Sequence, residues 1–158
     1  MKQHDKSVGL THFVVRLCYV LLAAAVAAFP LLMRAQQGDF YYFSMTAVHG
    51  RYLIYPFYMV VPAGYVALVC LDKILANLKK DIVFSNKNVK LLNIITAACL
   101  FAAAVGAVAF VVIAVIYQSI ETVALLAMGE AFMALVVRVV RNVIKKAIEI
   151  KEENDLVV

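Results

Sequence analysis

Glu130 is the one acid set deep in an apolar run, flanked by Gly129 and Ala131. A carboxylate is costly in hydrocarbon, so an acid at such a position faces a bundle interior or a wet cavity. Tyr65 and a snorkelling Arg34 are the donors able to serve it, and the three form a candidate intramembrane polar site. Two roles are open: a proton- or ligand-responsive switch, or an interhelical hydrogen bond that fixes packing. Pro62 and Gly64 sit in another apolar run, where a missing N–H and a missing Cβ either bend a helix or unwind a turn into a transporter-like site. No other residues fit a catalytic pattern. The chain lacks a His-Glu-x-x-His pair, a Gly-rich phosphate loop and paired acids at helical spacing within one apolar segment. His4, His12 and His49 do not share a side of the membrane in the topology derived below. Cys18, Cys70 and Cys99 come from three different helices without metal-loop spacing. They read as free thiols, and no enzyme, metal or cofactor is expected.

The more informative motifs are polar. In Phe84-Ser85-Asn86-Lys87-Asn88-Val89, Ser85 is suited to cap the helix that follows, with Phe84 and Val89 at the staple positions around it. Toward the C-terminus, Lys145 and Glu149 stand four apart and Lys146 and Glu149 three apart, as on a helical stalk. That stalk ends in residues 149–158, whose four acids and one lysine give −3, whereas residues 72–91 carry five lysines against Asp72 and Asp81, or +3. Acids oppose the dipole at a helix C-terminus, so an outside favourable term is needed: the basic loop, or a basic partner. A solvated tail is the plain alternative. The candidate partner-binding residues are Ser85, Asn88, Lys90, Glu149, Lys151, Glu153, Asn154, Asp155 and Leu156.

These groups must be positioned by membrane helices. Apolar residues make up 65% of the 158 and charged residues 16%, more apolar surface than one soluble core of this length can hide. Four runs of bilayer-spanning length predict helices over about 13–33, 53–71, 92–117 and 122–150 in a single membrane domain. The first run is too long for a signal peptide and reads as an uncleaved anchor. Residues 118–121 leave only a tight hairpin between the last two helices. All of the 15 Lys and Arg except Arg34 and Arg51 fall at the termini, in the 72–91 loop or at the exit of the fourth helix. Positive-inside bias then places both termini and that loop in the cytoplasm. Aromatics including Phe40, Tyr41, Tyr42, Phe43, Tyr55 and Phe57 gather on the opposite side, as rings at a membrane boundary do. Ala98, Ala102 and Gly106, four apart, predict close helix contact along the third helix, and Ala23/Ala27 and Ala24/Ala28 do so along the first. The expected fold is an all-α integral membrane four-helix bundle, N-in/C-in, with the fourth helix extending into the cytoplasm.

Phe84-Ser85-x-x-Asn88-Val89-Lys90 and Ala147-Ile148-x-Ile150-Lys151-x-Glu153-Asn154-Asp155-Leu156 resemble motifs of domain of unknown function 2975, a family of small bacterial membrane proteins. Its members commonly have Thr where Val157 stands here. The resemblance implies a bacterial cytoplasmic membrane location and no established activity. It also implies a neighbouring small helix-turn-helix regulator as a partner. Three readings follow: a non-enzymatic membrane regulator or sensor that binds such a partner through residues 72–91 and the tail; a small transport, resistance or bacteriocin-immunity protein using Glu130 and the Pro62/Gly64 bend; or a structural subunit packed through its Ala/Gly faces. The lipid bilayer is the first partner in each. A homo-oligomer is compatible with all three, and direct nucleic-acid binding is not expected.

Overall fold

A computed structural model describes residues 2–35, 44–80, 82–117 and 121–155 as four helices: α1 Lys2–Ala35, α2 Ser44–Lys79, α3 Asn86–Tyr117 and α4 Glu121–Asp155. The described residues contain no strand. The helices hold 34, 36, 32 and 35 residues. At 1.5 Å per residue each is about 48–54 Å long, well beyond the ~30 Å of a hydrocarbon core. They therefore continue past the apolar runs that predict them. Residues 72–91, expected as a loop, are helical at 72–79 and 86–91, with a short link between. Packing accompanies this: Leu75 on α2, Asn88 on α3 and Ile148 on α4 are each buried there.

Among the described residues, three helices are long and apolar enough to cross a membrane, over Thr11–Leu31, Ile54–Lys79 and Asn86–Val112. The apolar part of α4 carries Glu130, Arg138 and Arg141. Among the described residues, close helix packing runs only between chain neighbours: α1 on α2, α2 on α3, and α3 on α4. Among the described residues the helices thus pack in chain order, with α2, α3 and α4 sharing one small apolar cluster around Cys70, Leu92 and Ile95. α3 buries 22% of its apolar span against 6% for α1 and for α2, consistent with an inner position.

Pairwise contacts give the register. Tyr19 lies against Tyr65 and Phe29 stacks on Phe57 at 4.2 Å, so α1 and α2 are antiparallel. Asn77 meets Asn88 across α2 and α3. On α3 and α4, Asn93 meets Arg141, and a Cβ on Gly106 would stand 3.1 Å from the Cβ of Ala127. The expected small-residue contact of α3 is therefore formed, with Ala102 and Ala134 both buried along it. Small side chains let two backbones approach where lipid gives no hydrophobic drive.

Candidate functional site

The best-buried end of the array is polar. Ser85 caps α3: its carbonyl accepts from the backbone N–H of Asn88 at 3.0 Å and of Val89 at 3.3 Å, and its Oγ lies 3.4 Å from the same Asn88 nitrogen. Asn88 is 1% exposed, and its amide ties the link together. Nδ2 donates to the carbonyls of Ile82 and Val83, both at 2.9 Å, while Oδ1 accepts from Nδ2 of Asn77 at 2.7 Å. The Asn77 carbonyl in turn accepts from Lys80 and Ile82 at the end of α2. Of the candidate partner-binding residues, Ser85 and Asn88 thus face inward and shape the link. Lys90, Glu149, Lys151, Glu153 and Asn154 are exposed. The side chain of Asp155 and all of Leu156 lie outside the described residues.

The expected stalk through Lys145, Lys146 and Glu149 is the end of α4, helical to Asp155. Its Lys145 and Glu149 pair at 3.8 Å. Among the described residues no tail acid pairs with a lysine of the 72–91 segment, so the link does not neutralise Glu152 or Glu153. Beside these charges stand apolar side chains that the helical core leaves open: Ile82 is 47% exposed, Phe84 54% and Ile150 50%. This end is a polar-rimmed platform that presents Ile82, Phe84 and Ile150 as exposed apolar groups.

Of the candidate intramembrane set, Glu130 and Tyr65 sit on two helices that do not pack closely among the described residues. Glu130 is half-buried on α4, whereas the Tyr65 ring lies 6.2 Å from that of Tyr19 on α1. The Arg34 side chain lies outside them. α2 runs unbroken through Pro56, Pro62 and Gly64, so these residues form no unwound turn. An open apolar groove of about 440 Å³ lies between α2 and α3 instead, lined by Tyr55, Pro56, Met59, Phe101, Val105 and Val108 among others. His12 is drawn into a contact with Asp72, Nδ1 to Oδ1 at 3.3 Å, and Cys18, Cys70 and Cys99 are all free.

A family model described as "Protein of unknown function (DUF2975)" matches residues 5–158, nearly the whole chain. The chain belongs to the DUF2975 family. No curated protein and no solved structure matches it. In this DUF2975 member, two sites carry side-chain chemistry that spacing alone did not reveal. One is the Asn77–Asn88 clip. The other is a cross-helix contact in which Arg141 Nη1 donates to Asn93 Oδ1 at 2.6 Å, while Nε and Nη2 donate to Oδ1 of Asn142 at 3.1 and 2.7 Å. The available signal was the presence of asparagines in apolar helices, where an unpaired amide is costly and a partner is required.

Proposed function

We propose that this DUF2975 protein is a non-enzymatic, multi-pass protein of the bacterial cytoplasmic membrane that docks a basic cytoplasmic partner on its polar platform. In this reading α4 is the fourth span, both termini are cytoplasmic, and the partner is a small helix-turn-helix regulator held away from DNA. The supporting observation is the exposure of Ile82, Phe84 and Ile150 beside the unneutralised Glu152 and Glu153. Apolar groups beyond the membrane spans have neither lipid nor core to cover them, and a protein interface supplies that cover. The surrounding acids steer a basic surface toward it. The apolar groove between α2 and α3 offers the sensing side of the same reading, a seat for a small hydrophobic ligand.

The test is photocrosslinking in native membranes from a reporter amino acid placed at Phe84 or at Ile150. Both positions should capture the same cytosolic protein, and charge reversal at Glu152 and Glu153 should abolish capture while membrane insertion persists. Capture of lipid alone from both positions, or of the same protein after removal of residues 149–158, contradicts docking.

A further inference from the structure

His12, Asp72, Asn93 and Arg141 come from four helices, yet they occupy one level. His12 contacts Asp72 directly and Asn93 contacts Arg141 directly. Asp72 and Asn93 each stand five residues, about 7–8 Å, from the Asn77–Asn88 clip on the same side of it. Fourteen to seventeen residues further along, about 21–25 Å, come the stacked Phe29 and Phe57 and the exposed Tyr55 and Tyr58. A polar layer and an aromatic layer separated by nearly one hydrocarbon thickness mark the two faces of a bilayer. Arg141 therefore lies at headgroup depth.

Its bonding is unusual for a half-buried cation. Three of its five N–H groups are taken by neutral amide oxygens of Asn93 and Asn142, and no carboxylate pairs with it among the described residues. Amides orient a guanidinium without neutralising it, and each terminal nitrogen keeps one N–H for an acceptor from outside. Arg138 and Lys145 stand one turn away on either side along α4, and Lys90 stands one turn from Asn93 on α3, all exposed. We propose that the α3–α4 seam around Arg141 binds the phosphate of an anionic phospholipid headgroup in the cytoplasmic leaflet. A planar fork matches phosphate geometry, and basic pockets between helices on the cytoplasmic side suit such lipids. The inference rests on α4 crossing the membrane and is independent of the docked partner.

The purified full chain in neutral detergent is titrated with phosphatidylglycerol and with phosphatidylcholine, and bound lipid is counted by native mass spectrometry. Wild type should prefer phosphatidylglycerol by ~10-fold, Arg141→Gln should lose that preference, and Asn93→Ala, which keeps the cation but frees it, should lose roughly threefold. Equal binding of the two lipids by wild type, or an unchanged preference in Arg141→Gln, overturns the site. If Arg141→Gln loses helicity, Asn93→Ala decides: an unchanged preference overturns the oriented fork. Displacement of the lipid by millimolar inorganic phosphate would make soluble phosphate the ligand and overturn the lipid assignment. Phosphatidylglycerol preference with no partner crosslink separates this site from the docking reading.

Discussion

Asn88 shows how one amide holds a membrane protein's polar end in shape. Its side chain makes three hydrogen bonds while almost wholly buried, to Asn77 and to the carbonyls of Ile82 and Val83. Asn88→Leu leaves those three groups without a partner, at a net cost of about 2–4 kcal/mol. Thermal unfolding in detergent should show that loss, together with faster amide exchange over residues 82–88, and an unchanged melting temperature would remove the clip from the stabilising set. Two glycines provide a contrast on facing helices. A Cβ on Gly106 would meet that of Ala127 at 3.1 Å, whereas one on Gly129 would meet nothing within 4 Å. Gly106→Leu should therefore cost ~2–3 kcal/mol by forcing α3 and α4 apart, and Gly129→Ala should gain roughly 0.5–1 kcal/mol by removing backbone freedom from an exposed helix. Equal melting shifts for the two would contradict the packing. The small-residue motif that forms this contact was legible in the Ala98/Ala102/Gly106 spacing. The role of Asn88 was only half legible, since a residue suited to a surface motif and one suited to an internal clip look alike until its neighbours are known.

At the scale of elements, the four helices and their order were readable from apolar run length, because only a helix satisfies its own backbone in lipid. Their ends were not. Hydropathy marks the part of a helix in hydrocarbon, and α2, α3 and α4 continue as polar extensions on which Leu75, Asn88 and Ile148 are buried. Ile148 is 8% exposed and seats the stalk. Ile148→Ala should loosen it by about 2–4 kcal/mol. Hydrogen exchange should then show residues 145–155 losing protection while residues 127–137 keep theirs, and loss of protection along the whole of α4 would contradict an independently seated stalk. The Glu130, Tyr65 and Arg34 grouping was drawn from residue type alone. It did not anticipate that α2 and α4 do not pack closely on each other among the described residues.

For the whole molecule, α1 is attached among the described residues through α2, by the His12–Asp72 contact, the Tyr58 hydroxyl donating to the Val26 carbonyl at 3.0 Å, and stacked rings. The pairwise registers place the polar layer of all four helices at one end, together with the Asn77–Asn88 clip and the α4 stalk. The platform, the lipid site and the docking reading all require that end to face the cytoplasm. Lys87→Cys and Asn154→Cys, each in a chain with its three native cysteines replaced, carry the decisive label. An impermeant maleimide should modify both in inverted membrane vesicles and neither in intact spheroplasts. Modification of the two on opposite faces, or of both from outside, would contradict the topology and everything built on it.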